Sequence, residues 1–81
     1  MVRVRRSENF ILRLRKLDKN QIDRIEKLIF KIVKNPEIGK PMRFDRKDTR
    51  EVYAGSFRLS YSYFKDEEII FLLDFYHKDE Q

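Results

Sequence analysis

The chain has 81 residues, 41% of them hydrophobic and 14% aromatic, which suffices for a single domain over residues 1–81 and leaves no room for a second. The absence of cysteine excludes a disulfide scaffold and a thiolate metal site. Without a signal peptide or a long apolar run, we expect a cytoplasmic protein with no membrane contact. Residues 1–50 hold sixteen Lys and Arg against seven Asp and Glu (+9), whereas residues 51–81 hold three against seven (−4). This asymmetry predicts a polyanion or an acidic protein as partner, and the alternative is a merely solvated charged surface.

A short strand and a helix are the first predicted elements. Residues 2–5 alternate apolar and basic side chains, as a strand with one buried face does. Ser7 is typical of a helix N-cap, and Glu8 follows in the first turn, where the helix dipole favours an anion. The helix then places three apolar side chains on one face: Phe10, Leu14 and Leu17.

The second helix has the strongest pattern in the chain. Asp18 followed three residues later by Gln21 is typical of a capping box. Across Lys19–Lys34 apolar residues recur at helical spacing, with charged residues on the other faces. Asn35 and Pro36 end the helix, because the residue before a proline avoids helical geometry. The short connection predicts an antiparallel helical hairpin whose apolar faces need a sheet to cover.

A loop and a β-hairpin follow. Residues 36–49 show no periodicity, and the basic residues in or just after this loop are Lys40, Arg43, Arg46, Lys47 and Arg50. Residues 50–63 predict a tight hairpin with a Gly55-Ser56 turn, since glycine reaches the positive φ that short turns need. The hairpin is expected to bring Arg50 close to Arg58, so that two guanidiniums form a phosphate-binding surface on a rigid sheet.

The second limb of the hairpin alternates strictly. Its aromatic and apolar face consists of Phe57, Leu59, Tyr61 and Tyr63, and its polar face of Arg58, Ser60 and Ser62. After a charged turn at 65–68, Ile69–Leu73 is a continuous apolar run, which predicts a central strand buried on both faces. The fold class is therefore α+β, with the order β-α-α-β-β-β and a helical hairpin on one face of a small, mostly antiparallel sheet. The other face is expected to be open and polar.

Several short motifs, in this order and spacing, resemble the RelE/ParE toxin superfamily over essentially the whole chain. They are Leu17-Asp18-Lys19 between the helices, Asn35-Pro36 followed by Gly39-Lys40-Pro41, the basic loop, Phe57-Arg58-Leu59-Ser60-Tyr61, and Tyr76-His77-Lys78. The resemblance implies a RelE-like fold and the toxin component of a type II toxin–antitoxin system. RelE-like members are ribosome-dependent endoribonucleases, or mRNA interferases, that inhibit translation. ParE-like members share the fold and inhibit DNA gyrase.

Two classes of function therefore stand as hypotheses. The first is a ribosome-dependent mRNA endoribonuclease that needs no metal or other cofactor, favoured by the presence of His77. The alternative is a non-enzymatic gyrase inhibitor of ParE type, or a degenerate toxin that only binds its antitoxin. The implied partners are a cognate antitoxin and, for the nuclease, the ribosome and mRNA; a heterotetramer is one possible form of the toxin–antitoxin complex. An acidic antitoxin segment that folds on binding suits the basic surface.

Metal-independent RNA cleavage needs a base for the 2′-hydroxyl, cations for the phosphorane and an acid for the 5′-oxygen. Arg58 matches the arginine of the family's aromatic-Arg-Leu motif, which implies that it binds the scissile phosphate, and Arg50 is expected to add charge. His77 and Lys78 match the His-Arg/Lys pair that many RelE-like members carry at the end of a strand. The match implies that His77 is a general acid or base and that Lys78 binds phosphate. We expect Arg58 and His77 to lie together on the open face. The alternatives are a solvated or cross-strand-paired arginine and a surface histidine.

Further residues are candidates for binding RNA. Tyr53 and Tyr76 suit stacking on unpaired bases or donation to phosphate, although tyrosines on a small sheet also serve as packing. Non-specific attraction of ribosomal RNA or mRNA is expected from Lys40, Arg43, Arg46 and Lys47, which otherwise form a solvated loop.

The sequence departs from the family pattern in two respects. Many family nucleases continue into a C-terminal turn with a catalytic aromatic residue, whereas this chain ends at Gln81. The Lys-x-Lys strand pair of the RelE type is replaced by Arg50-Glu51-Val52. Either this branch of the family uses a different set of catalytic residues, such as His77 with Arg58, or its nuclease activity is reduced.

Overall fold

The computed structural model describes residues 2–41 and 49–77. Two helices, α1 (Glu8–Leu14) and α2 (Lys19–Lys34), accompany five strands: β1 (Arg3–Arg6), β2 (Lys40–Pro41), β3 (Thr49–Ala54), β4 (Phe57–Phe64) and β5 (Ile69–His77). The sheet order is β1-β5-β4-β3-β2, in which β1 and β5 are parallel and the remaining pairs antiparallel. The predicted α+β class is confirmed. Within residues 2–41 and 49–77 neither helix is long and apolar enough to cross a membrane.

Both predicted helix caps are present. The Ser7 side chain accepts a hydrogen bond from the Phe10 backbone N–H at 3.0 Å, and its hydroxyl donates to the Leu73 carbonyl of β5. The start of α1 is therefore fastened to the sheet. Asp18 accepts from the Gln21 backbone N–H at 2.9 Å, and the Gln21 side chain accepts from the Asp18 N–H at 3.2 Å, so the capping box is complete.

The helical hairpin covers one face of the sheet. The core residues from the helices are Phe10, Ile25, Leu28, Ile29 and Ile32, and those from the strands include Val52, Phe57, Leu59, Tyr61, Ile70, Leu72 and Phe75. The prediction that Ile69–Leu73 is buried on both faces is wrong. Ile70 and Leu72 are fully buried, whereas Phe71 is only half-buried, because the described helices cover one side of the sheet and leave the other open.

A β-bulge in β5 decides which residues reach the open face. Ser60 of β4 lies opposite Asp74, but Tyr61 lies opposite Leu72, so Leu73 is an extra residue on β5. A one-residue slip moves every following side chain to the opposite face. Asp74 and Tyr76 therefore lie on the open face, and Phe75 and His77 lie on the helix-covered face. The apolar run of β5 carries no sign of this change in its period.

The short strand β2 lies inside the stretch predicted to be a loop. Lys40 pairs with Glu51 and Pro41 with Arg50, and two residues are too few to produce a periodic pattern. The hydroxyl of buried Tyr61 holds the preceding segment, since it donates to the Pro36 carbonyl at 2.7 Å and accepts from the Gly39 N–H at 2.9 Å. A Cβ at Gly39 would lie 2.8 Å from that hydroxyl, so the close approach requires glycine.

Replacing Tyr61 by phenylalanine is expected to lower the free energy of unfolding by about 1–3 kcal/mol, because the Gly39 N–H and the Pro36 carbonyl lose their partner. Burial also raises the pKa of Tyr61 above its ordinary value of 10.0. The folded state thus favours the neutral Tyr61 phenol. The stability that the neutral phenol contributes is therefore full below pH 10 and declines as the pH rises through the folded-state pKa of Tyr61. Urea unfolding of both proteins between pH 8 and pH 11 measures it. An equal pH dependence in the variant would contradict this role.

Candidate functional site

Two rows of side chains cross the open face of the sheet. Residues directly opposite each other in antiparallel strands share a face, so the register places Tyr53, Arg58 and Tyr76 side by side across β3, β4 and β5. We call these three residues the Arg58 row. The neighbouring Ser60 row, which extends onto β2, consists of Lys40, Glu51, Ser60 and Asp74.

Arg58 is held between two aromatic rings. Its Nη1 donates to the Tyr76 hydroxyl at 2.9 Å, and its Cζ lies 4.9 Å from the Tyr53 ring centroid and 5.5 Å from that of Tyr76. The hydrogen bond to Tyr76 raises the pKa of Arg58 above its ordinary value. The guanidinium is therefore charged and fixed in orientation. A guanidinium has five N–H donors, and Tyr76 takes one, which leaves a pair suited to the oxygens of a phosphate.

Tyr53 connects the two rows. Its hydroxyl donates to Oε1 of Glu51 at 3.0 Å, and 52% of the residue is exposed. The hydrogen bond to Glu51 raises the pKa of Tyr53, so this phenol stays protonated at neutral pH. A half-exposed ring beside a cation is suited to stacking on an unpaired base.

The Ser60 row borders a depression of about 620 Å³ between the start of α1 and the strands. Asp74 is engaged at one edge of it, since its Oδ1 lies 2.7 Å from Nε of Arg13 and accepts from the Phe75 N–H at 2.8 Å. Glu51, between Lys40 and Ser60 in the row, faces the depression together with Ser60 and Tyr76. In residues 2–41 and 49–77 no group of three or more His, Cys, Asp or Glu side chains is arranged to hold a metal ion.

Arg50 lies away from Arg58, so the prediction that the two guanidiniums lie close together is wrong. Arg50 is opposite Tyr61 in the register, three residues along the strand from the Arg58 pair and on the helix-covered face. Its Nη1 donates to the carbonyls of Glu37 at 3.0 Å and Gly39 at 2.8 Å. The side chain anchors the segment that leads into β2.

His77 also lies on the helix-covered face, so the prediction that it shares the open face with Arg58 is wrong. It is opposite Phe57, with the two ring centroids 5.2 Å apart in an edge arrangement. It lines a cleft of about 430 Å³ beside α1, together with Leu12 and Lys16, and Tyr76 borders both this cleft and the depression at the Ser60 row. The physical reason is the bulge at Leu73, which exchanges the faces of Tyr76 and His77. A catalytic role for His77 stays a prediction.

The remaining predicted residues divide into two groups. Exposed Lys40 lies opposite Glu51 on the open face, and Tyr53 and Tyr76 flank Arg58. Four predicted residues lie outside the described part of the chain: Arg43, Arg46, Lys47 and Lys78. In the sequence, Glu51 stands out only as part of the departure from the family's Lys-x-Lys strand pair. The two-residue turn at Gly55-Ser56 fixes the hairpin register and could have placed Glu51 two positions from Tyr53 on the same face.

Comparisons with known proteins agree with this fold. The RelBE2 toxin–antitoxin complex from Mycobacterium tuberculosis contains a similar chain, with a TM-score of 0.85 and 23% identity over 94% of this chain and 96% of that chain. The isolated RelE toxin of Escherichia coli has a TM-score of 0.80 and 15% identity over 95% and 84% of the two chains. The archaeal RelE–RelB complex from Pyrococcus horikoshii has a TM-score of 0.75 and 17% identity over 99% of this chain and 98% of that chain.

No curated protein matches the sequence significantly. At the level of protein families, the sequence model described as the ParE toxin of type II toxin–antitoxin systems, parDE, matches residues 4–81. This range includes both helices and the two rows of the open face. The chain therefore belongs to the ParE toxin family of type II toxin–antitoxin systems, within the RelE/ParE toxin superfamily.

Proposed function

We propose that this toxin is a metal-independent endoribonuclease that cuts mRNA on the ribosome and is neutralised by a cognate antitoxin. One observation carries the proposal: on the uncovered face of the sheet a guanidinium is held between two tyrosines, one of which is hydrogen-bonded to it at 2.9 Å. This arrangement combines a phosphate ligand, a proton donor and a stacking surface within one row of side chains.

Each member of the Arg58 row has a distinct part in the proposed reaction. When the 2′-oxygen attacks phosphorus, negative charge grows on the non-bridging oxygens, and the Arg58 guanidinium donates to them. Because the Tyr76 hydroxyl accepts its hydrogen bond from Arg58, its own proton is available to the leaving 5′-oxygen. The adjacent positive charge stabilises the phenolate that remains. Tyr53 stacks on a base and positions the nucleotide.

A gyrase-inhibiting function is the second candidate, and a specific observation favours it. His77 is the one histidine of the chain, and its side chain lies on the opposite face of the sheet from Arg58. The open face thus lacks the side chain whose ordinary pKa lies nearest to neutrality. In this case the Arg58 row acts as a binding surface for a protein or for DNA, without cleavage.

An antitoxin partner is part of the proposal. The similar solved structures include the RelBE2 toxin–antitoxin complex from Mycobacterium tuberculosis and the RelE–RelB complex from Pyrococcus horikoshii. The helices of this chain expose Leu12 and Phe30 to 49% and 60%, and Nζ of Lys34 lies 4.9 Å from the centroid of the Phe30 ring. An acidic segment with apolar anchors matches such a surface, because it masks charge and buries apolar area together.

Message cleavage in a translating extract tests the proposal. Wild-type toxin is expected to produce new 5′ ends by primer extension at positions occupied by ribosomes, and none on the naked message. The upstream fragments should end in 2′,3′-cyclic phosphate, since transesterification without a metal leaves this group and a 5′-hydroxyl. An intact message together with loss of DNA supercoiling by purified gyrase would contradict the nuclease function and support the second candidate.

A further inference from the structure

The proposed reaction needs a group that removes the proton of the 2′-hydroxyl, and the Arg58 row does not contain one. Arg58 stays protonated throughout the physiological range, and the bond that Tyr53 donates to Glu51 keeps that phenol protonated as well. Tyr76 is used as the proton donor to the leaving group. The base must therefore come from a neighbouring position on the open face.

We propose that Glu51 is this general base, an assignment that rests on the proposed nuclease function. Glu51 lies two residues before Tyr53 on β3 and opposite Ser60, which makes it the diagonal neighbour of Arg58 on the same face. Diagonal positions of this kind are separated by roughly 7–8 Å. This separation accommodates the phosphate and the 2′-oxygen of a single nucleotide between the guanidinium and the carboxylate.

The contacts of Glu51 orient it for this role. The Tyr53 hydroxyl donates to Oε1 at 3.0 Å, which fixes the carboxylate and leaves Oε2 to accept the proton. Lys40, directly opposite on β2, supplies positive charge beside both the carboxylate and an incoming phosphate. Tyr53 is thus a positioning residue for Glu51 in addition to a stacking surface.

Two other groups, Asp74 and His77, are less suited to the task. Asp74, in the same row, is already engaged by the Arg13 side chain at 2.7 Å and by the Phe75 N–H at 2.8 Å. His77 lies on the helix-covered face opposite Phe57. Glu51 is therefore the carboxylate of the Ser60 row that can approach a ribose bound at Arg58.

The proton and bond changes balance within this set of residues. Oε2 of Glu51 takes the 2′-hydroxyl proton as the bond from the 2′-oxygen to phosphorus forms. The bond from phosphorus to the 5′-oxygen breaks, and the Tyr76 hydroxyl gives its proton to that oxygen. The products are a 2′,3′-cyclic phosphate and a 5′-hydroxyl, and proton exchange with solvent restores Glu51 and Tyr76.

Glu51→Gln tests the assignment, because a carboxylate near a phosphate opposes binding yet assists catalysis. Glutamine keeps the size of the side chain and an oxygen for the Tyr53 hydrogen bond. The single-turnover cleavage rate on ribosome-bound message is expected to fall by about 10²- to 10⁴-fold. The affinity of the variant toxin for the ribosome–message complex should stay equal to that of the wild type or rise. The cleavage rate of Glu51→Asp, which retains the carboxylate, should lie between those of the wild type and Glu51→Gln.

Glu67→Gln, in the turn between β4 and β5, is the matched control, since it removes the same charge from an exposed position far along the chain and should cut at the wild-type rate. Cleavage by Glu51→Gln at the wild-type rate would overturn the base assignment and leave the nuclease function standing. If Glu51→Gln lost affinity for the ribosome–message complex as much as it lost cleavage rate, Glu51 would have a structural role, and the base assignment would also be overturned. If the wild type itself leaves the message intact, the nuclease function fails and takes the assignment with it.

Discussion

Arg58→Ala is expected to reduce the single-turnover rate of message cleavage by about 10²- to 10³-fold, since it removes the donors to the phosphorane oxygens. The fold should persist, because the guanidinium lies against Tyr53 and Tyr76 on the open face and Arg58 is not part of the core described within residues 2–41 and 49–77. Quenched-flow cleavage of ribosome-bound message gives the rate, and circular dichroism during urea unfolding checks the fold.

Arg58→Lys and Arg24→Ala are the controls for this result. Lysine keeps the positive charge but cannot offer two parallel N–H groups to one phosphate, so an intermediate rate is expected. Arg24 is exposed on α2, away from the open face, and its removal lowers the net charge equally. A wild-type rate for Arg58→Ala, or an equal loss for Arg24→Ala, would mean that the arginine contributes charge in general and not a phosphate site.

Tyr76→Phe is expected to lower the rate of cleavage by about 10²- to 10⁴-fold with little change in affinity, because the ring remains and only the proton donor is lost. The sharpest measurement uses a message whose 5′-bridging oxygen is replaced by sulfur at the cut position. A thiolate leaves without a proton, so this substrate should restore most of the lost rate in the variant.

Tyr53→Phe is the matched comparison for Tyr76→Phe. It removes a hydroxyl from the same row but keeps the stacking ring. Glu51 then loses the hydrogen bond that the Tyr53 hydroxyl donates to it. We expect a smaller decrease than for Tyr76→Phe and no recovery with the sulfur substrate. Equal recovery in both variants, or none in Tyr76→Phe, would contradict the assignment of Tyr76 as the acid.

The sequence was sufficient for most of the fold because the local signals agreed with each other. Ser7 and the Asp18–Gln21 pair set the helix starts, the period across Lys19–Lys34 set the buried face, and the Gly55-Ser56 turn set the register of the hairpin. In these places the capping residues, the turn chemistry and the hydrophobic pattern all favour the same structure.

The candidate site was harder to predict because it depends on long-range register. The bulge at Leu73 lies within an apolar run, where no alternation reveals an extra residue, and it decides that Tyr76 and not His77 faces Arg58. The position of Arg50 is hard to predict for another reason. Its side chain satisfies carbonyls of the segment before β2, a tertiary contact that the spacing of charged residues does not indicate.

The most direct test of the open face as the cleavage site is photo-crosslinking from the message itself. A message with 4-thiouridine and a 2′-deoxyribose at the cut position binds without being cleaved, and its adducts can be located by mass spectrometry. We expect crosslinks to β3, β4 and β5 peptides at Tyr53, Arg58 and Tyr76. Crosslinks confined to Leu12, Lys16 and His77 in the cleft beside α1, or none to the toxin, would contradict the account.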